Sequence, residues 1–355
     1  MKDSYLIQEL SSINYMGSKT KLLNFLMSHI PYGKDLTFFD GFSGSIRVGG
    51  SIQTNYKSIT SVDTQLYSEL LGKALLTITD DFDIDIIKKL NGLKPKDGFI
   101  TETYGGEIRL NNSSIQDDGK TRLFIRENAG KIQAMRDYIE DNNLGILYLY
   151  GLIIAAAKVQ SSTGHQNGYL KTFSKNSLKP INYKAVLIPL SHNKHLNKVL
   201  RGDIFNFISE YHDIFYFDPP YGTINTNVPV ATRYTAFYHF WNTLVLNDTP
   251  EIFGMAQRRL DSKGVTDQFE VNKKDTYLPL IKKLFDESNG KHIFISLSNQ
   301  SIVTKEEILS FCSDYNIKVF EKSHSVNVQG IRTKKIGKYS VKKKPLKEYL
   351  YYLKK

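Results

Sequence analysis

The apolar run Phe215-Tyr216-Phe217 ends at Asp218, and two prolines and a tyrosine follow it: Asp218-Pro219-Pro220-Tyr221. Proline has no ladder N–H and a fixed φ, so a strand must stop there. Asp218 is then held at the sheet edge with the Pro219 carbonyl set beside it in a fixed direction. Two acceptors side by side suit an exocyclic amino group. Such a nitrogen is a poor nucleophile because its lone pair is delocalised into the ring; accepting both N–H bonds pulls it toward sp3 and frees the pair. Tyr221 adds a flat face on which a base can stack, a contact worth ~1–3 kcal/mol. A plain strand terminator could carry the same prolines, but the aromatic behind them and a glycine turn upstream favour chemistry.

That turn is Phe39-Asp40-Gly41-Phe42-Ser43-Gly44-Ser45. Glycines allow a sharp strand-to-helix turn and close approach of a ligand to the backbone. Asp40 stands at the carboxyl end of its strand, where ligands bind in open α/β sheets. A carboxylate there repels phosphate and suits a ligand with an amine or a cationic centre. Asp63 ends the next strand, about 20 residues past the turn, where the doubly wound fold places an acid on ribose hydroxyls. A helix N-cap is the competing role for Asp63, since a helical pattern follows. Together the turn and the acid favour a nucleoside-bearing ligand.

These residues need a sheet to carry them. Short apolar runs at 36–39, 58–63, 213–218 and 291–298 read as strands, and EYLYYLKK at the end as a last strand. Strand, glycine turn, helix and strand open a doubly wound α/β sheet. Between lie helical patterns, QLYSELLGKALLTI and KIQAMRDYIED, a polar stretch at 101–120, and the apolar run 144–159. That run is shorter than the ~20 residues that span a bilayer and reads as a buried helix. The expected organisation is one α/β domain, 1–70 and 200–355, interrupted by a mainly helical module at 71–200.

The 355 residues carry a net charge of +11, which makes a polyanion, nucleic acid first, a plausible partner. The single cysteine, Cys312, excludes an intrachain disulfide and a multi-cysteine metal site and fits a reducing, cytoplasmic setting. The first 15 residues lack the apolar stretch of a secretory signal. His165 has no metal-ligand partner at a matching spacing, and no metal is expected.

The ordered set NYMGSKTKLL, DGFSGS, Asp63 and DPPY resembles the Dam-like, D12-class S-adenosylmethionine-dependent DNA adenine-N6 methyltransferases. The stretch after DPPY looks most like the branch associated with type IIS and CATG/GATG-type restriction-modification systems. The resemblance implies a Rossmann-like doubly wound methyltransferase sheet with an inserted target-recognition module. It implies that Tyr15 and Lys19 contact the methionine part of S-adenosylmethionine, that Phe42 and Gly44 form the FxGxG turn, and that Asp63 binds ribose. Asp203 and Ile204 would read the cofactor's adenine. Ser45 stands where the family has a second glycine, a departure that bears on close backbone approach.

The loop SSTGHQNGYLK aligns with a hairpin that enters the major groove, making Ser161, Ser162, His165, Gln166, Asn167 and Lys171 candidates for contacts with bases and phosphates. A polar surface loop is the plainer alternative. Beyond DPPY, Arg233, Tyr234, Tyr238 and His239 combine basic and aromatic groups suited to a strand-separating or phosphate-holding loop. The lysine-rich tail reads mainly as a solvated face. The expected reaction is methyl transfer to N6 of an adenine flipped out of duplex DNA, by a monomer or weak dimer, with or without a cognate restriction endonuclease. RNA N6-adenine methylation, DNA N4-cytosine methylation and a catalytically inactive DNA-binding protein on the same scaffold are the alternatives.

Overall fold

The structure, a computed structural model, describes residues 5–222, 234–264, 267–324 and 346–355. Its centre is a seven-stranded sheet: β1 (Gly33–Gly41), β2 (Tyr56–Asp63), β3 (Lys198–Arg201), β4 (Ile214–Phe217), β5 (His292–Ser298), β6 (Lys318–His324) and β7 (Leu346–Lys354). The spatial order is β6-β7-β5-β4-β1-β2-β3. All neighbours are parallel except β7, which runs antiparallel to both β5 and β6.

The near-continuous apolar character of the central strands follows from burial on both faces. Phe38, Tyr216, Phe294 and Leu350 face one core; their neighbours Phe39, Phe215, Ile293 and Tyr351 face the other. The helix Leu66–Leu76 and the buried helix Gly145–Val159 cover the first face, in one continuous core with residues of Arg126–Asp141. The helix Lys274–Glu287 covers the second. No helix among the described residues is long and apolar enough to cross a membrane.

The strands at 33–41, 56–63, 214–217, 292–298 and 346–354 correspond to the apolar runs of the sequence. Two others, β3 and β6, carry no comparable run. They are short or alternate with charged residues because they lie at the two sheet edges. The helix Leu66–Leu76 runs across position 70, and β3, which begins at Lys198, pairs with β2. Residues near both expected segment boundaries therefore contribute to the sheet and its covering.

Strand order reverses between β1 and β4, and ligands of doubly wound sheets bind at such a point, outside the carboxyl ends of the strands. The register aligns Asp40 with Tyr216 and Gly41 with Phe217. The Asp218 N–H donates to the Gly41 carbonyl at 3.3 Å. The glycine turn and the DPPY motif, far apart in the chain, thus leave the sheet side by side.

Candidate active site

Beyond the Asp218 N–H, two backbone carbonyls of DPPY are pinned. The Tyr277 hydroxyl donates to the Pro220 carbonyl at 2.8 Å, and the Ile302 N–H to the Tyr221 carbonyl at 2.8 Å. Among the described residues the Pro219 carbonyl has no donor. Asp218 shows the same asymmetry. Its Oδ1 accepts Lys19 Nζ at 2.7 Å and lies 3.3 Å from the Tyr221 hydroxyl, whereas Oδ2 has no partner among the described residues. Two acceptors remain available beside a tyrosine ring, as the sequence pattern implies.

Lys19 is buried, with its ammonium between Asp218 Oδ1, the Tyr221 hydroxyl at 2.7 Å and Glu348 Oε1 at 3.3 Å. Burial disfavours the cation, but Asp218 and Glu348 more than offset this, and the ammonium is held charged above its ordinary range. Burial pushes the Asp218 carboxyl up to about 6; Lys19 opposes that rise and Glu348 adds to it. Glu348 carried no sequence signal, because a lone acid in a lysine-rich terminal segment reads as solvated surface.

The glycine turn is bent by three consecutive alternate residues with positive φ: Phe42 (61°), Gly44 (51°) and Ile46 (59°). Only glycine adopts that region without steric cost. A Cβ on Gly44 would lie 2.7 Å from the Tyr15 ring, so Tyr15 packs directly on the turn. Ser45, the departure from the family pattern, is buried, and its carbonyl accepts the Ser12 hydroxyl at 3.2 Å. Asp40 is buried with Oδ2 accepting the Gly49 N–H at 2.8 Å, and burial pushes its carboxyl up to about 7. Asp63 accepts Gly44 N–H on one oxygen and Gln65 N–H on the other, both at 2.8 Å, tying the turn to the next helix; burial pushes it up to about 6. The N-cap of the helix Leu66–Leu76 is Gln65 and not Asp63, which instead braces the cap residue through its N–H and keeps acceptor sites toward the cavity beside Asp218.

Two small cavities meet at Asp218. One is lined by Tyr15, Phe42, Asp63, Tyr221, Tyr234, Asp267 and Glu270, the other by Lys19, Asp40, Ser45 and Tyr216. Tyr15 stacks on Tyr234 (centroids 5.4 Å apart) and on Tyr238 (4.8 Å). Asp267 and Glu270, which the sequence reading missed, bring two further carboxylates to the wall; the Asp267 carboxyl is pushed up to about 8 by burial. Acidic groups and aromatic rings in one wall suit a cationic ligand with a stacking ring better than a phosphate. Asp203 and Ile204 stand outside this lining: Asp203 accepts Phe205 N–H and Gln268 Nε2, and Ile204 packs under Gly41.

The loop 161–171 is clipped to the segment 237–240. The Gln166 N–H donates to the Phe237 carbonyl at 2.6 Å, and Gln166 Oε1 accepts the Phe240 N–H at 2.9 Å. His239 is fully buried against the Gln166 carbonyl, and burial pushes its imidazole down to about 3, so it is neutral at pH 7. Tyr238 accepts the Met16 N–H through its hydroxyl at 2.7 Å. Ser161, Gln166, Tyr238 and His239, expected to touch DNA, are all buried in this structure, within the loop and the pocket wall. Tyr234 belongs to the pocket wall. Ser162, His165, Asn167 and Lys171 retain solvent exposure, His165 stacking on Phe237 and Asn167 accepting from Arg258. Arg233 lies outside the described residues.

Beside the loop a cleft of about 610 Å³ is lined by Ser162, Gln160, Asn14, Lys158, Lys179 and Lys184 among others, with no carboxylate in its lining. Neither Lys158 nor Lys184 has an acidic partner among the described residues. Asn14 precedes Tyr15, so the cleft adjoins the pocket wall.

Comparison with known proteins matches residues 15–311 to the family model of the D12 class N6 adenine-specific DNA methyltransferases. The chain is 26% identical over 312 residues to the type II methyltransferase M.NlaIII of Neisseria lactamica, covering 83% of this chain and 86% of that protein. It is 28% identical to the modification methylase LlaI of Lactococcus lactis subsp. lactis over 86% of this chain, and 26% identical to M.FokI of Planomicrobium okeanokoites over 97%. It spans about half the length of these two larger proteins, 49% and 53%. With the reversed sheet order, the glycine turn beside DPPY and a matched region running from Tyr15 to Phe311, the chain belongs to the D12 class of N6 adenine-specific DNA methyltransferases.

Proposed function

We propose that the reacting adenine amine is held by Asp218 Oδ2 and the Pro219 carbonyl, with the base stacked on Tyr221. The observation that carries this reading is the selective pinning of DPPY: Oδ1 and the Pro220 and Tyr221 carbonyls are engaged, and the two acceptors that the amine requires are left available. An amine paired within a duplex cannot reach that position, so the base is extruded. The contribution of these groups is orientation and preorganised acceptance of the amine protons.

Membership of the class implies S-adenosylmethionine as methyl donor, and the acidic, aromatic pocket fits its cationic centres and its nucleoside. When bound, it supplies an electrophilic methyl on a sulfonium. Tyr15, Phe42 and Asp63 would hold it from the turn side and Asp267 from the opposite wall, with Asp203 and Ile204 behind. Each cavity has a volume of only about 30 Å³, whereas ligand sites occupy about 300 Å³ or more. Loading therefore requires side chains to move. The bond from the Tyr234 N–H to Glu270 Oε1, 2.8 Å, joins two of the walls that would part.

The substrate is read as duplex DNA modified at a specific site, in a restriction-modification setting in the cytoplasm. Residues 71–200 would serve as the target-recognition module. Ser162, His165, Asn167 and Lys171 face the duplex, and the lysine-lined cleft takes a phosphate strand. The test is methyl transfer from labelled S-adenosylmethionine to unmethylated genomic DNA, with digestion to nucleosides and mass spectrometry. N6-methyladenine with the wild type, and a loss of roughly 1,000-fold or more with Asp218→Ala, is the expected result. Asp218→Ala at near wild-type rate would refute the assignment; cofactor binding without any modified base would favour the inactive scaffold.

A further inference from the structure

Glu348 is a buried carboxylate near the start of β7, the strand next to the sheet edge, where it pairs in register with Ser298 of β5, and the reading of Asp218 leaves it without a role. A buried acid is costly unless it is paired and hydrogen-bonded. Its Oε1 gathers three donors: Ser296 Oγ at 2.6 Å, the Tyr221 hydroxyl at 3.2 Å and Lys19 Nζ at 3.3 Å. Two of these, Lys19 and Tyr221, are the groups that touch Asp218 Oδ1. The Tyr221 hydroxyl has one proton and two carboxylates within 3.3 Å, and it accepts from Lys19. One side chain therefore anchors both neighbours of the acceptor.

We propose that Glu348 is a positioning residue for methyl transfer: it draws the Lys19 ammonium and the Tyr221 hydroxyl toward β7, which keeps Oδ2 of Asp218 strong and available as the amine acceptor. The inference rests on Asp218 being that acceptor. The physical reason is charge sharing. A lysine paired with one buried carboxylate neutralises it; a lysine shared between two leaves net negative charge at Asp218, which makes it a better acceptor of N–H bonds. Tyr221 is held by the same oxygen, so its ring presents a fixed face to a stacked base.

The groups around Asp218 set what a pH profile will report. Lys19 approaches from the turn after Met16, Glu348 from β7, Tyr216 from β4 and Asp40 from β1; Tyr234 and Tyr277 approach from their helices. Glu348 raises the basicity of Asp218, and Lys19 lowers it. Replacing Glu348 by an uncharged isostere removes the first influence and keeps the second.

Steady-state methylation of unmethylated genomic DNA tests this with Glu348→Gln, Glu348→Asp and Asp218→Ala, recorded across pH. For Glu348→Gln, kcat should fall at least about tenfold with KM for S-adenosylmethionine within about threefold of wild type. Its acidic limb should move to lower pH. Glu348→Asp keeps the charge, so its limb should stay at the wild-type position while kcat falls less. Unchanged kcat in Glu348→Gln, a change in KM alone, or a lower kcat with an unmoved limb overturns the proposal. Should Glu348→Gln not fold, Glu348→Asp carries the test: kcat equal to wild type despite the retracted carboxylate overturns it. Activity in Asp218→Ala refutes the acceptor assignment itself, whereas an inactive Asp218→Ala beside a normal Glu348→Gln refutes only the role of Glu348.

Discussion

In the proposed role Asp218 Oδ2 accepts one amine N–H and the Pro219 carbonyl the other, which requires the carboxyl to be ionised, and burial pushes that carboxyl up to about 6. Because the deprotonated form is the active one, kcat/KM is expected to rise with pH and level off above an acidic limb near pH 6, measured as initial methylation rates at subsaturating substrate. Asp267 makes a separate prediction about stability. Its carboxyl is pushed up to about 8, chiefly by burial, with Glu270, Asp63 and Asp203 adding to the rise. A raised carboxyl contributes stability that is fully present below its ordinary value near 4 and is lost as pH rises through about 8. Asp267→Asn should therefore be more stable than wild type at about pH 9, by roughly 1–3 kcal/mol after allowing for partial exposure, and equal to it below about pH 4. Urea melts at the two pH values check this. The same repulsion is relieved by a cationic ligand, so the pocket trades stability for charge complementarity.

At the scale of elements, the turn after β1 concentrates backbone strain. Phe42 and Ile46 hold positive φ, which costs an L-residue about 1–2 kcal/mol each. The hydrogen bonds from Gly44 and Gly49 to Asp63 and Asp40 keep that turn in place. Gly44→Ala adds a Cβ that meets the Tyr15 ring at 2.7 Å. It should lower stability by about 2 kcal/mol and weaken S-adenosylmethionine binding at least about tenfold, by calorimetry, because Tyr15 must move off the turn. The loop 161–171 shows a different division of labour. Gln166 is an internal clip, and Gln166→Ala leaves the Phe240 N–H unpaired in the interior. A stability loss of about 1–3 kcal/mol follows, and any loss of DNA binding should follow from the displaced loop.

At the scale of the molecule, the net charge of +11 is unevenly used. The cavity beside Asp218 is lined by acidic groups, and the cleft beside the loop has lysines and no carboxylate in its lining. DNA affinity should fall steeply with salt. Replacing Lys158 and Lys184 by alanine should weaken binding about equally for all sequences and flatten the log–log salt slope by about 1–2, as two phosphate contacts would. Fluorescence anisotropy with duplexes at several salt concentrations measures this; an unchanged slope would place the phosphate path elsewhere.

The doubly wound sheet, its parallel central strands and the strand exits at the glycine turn and DPPY were legible in the chain, because buried parallel strands must be apolar runs and sharp strand exits need glycine or proline; that the two exits lie side by side was decided by the strand order. The position of Asp218 was legible for the same reason: a residue followed by two prolines must stand just past the end of its strand. The edge strands β3 and β6 were not legible, since strands at an edge can carry charge and lose the apolar pattern. Polar residues of the loop 161–171 divided into buried clips and exposed groups only on folding, because a glutamine or histidine has the same composition whether it faces water or a backbone N–H. Glu270 joined the site through a bond to Tyr234 across 36 positions of sequence, and Glu348 through a bond to Tyr221 across 127. Local pattern reports the surroundings of a residue along its own strand or helix; which distant carboxylate shares a lysine is decided when the strands are laid side by side.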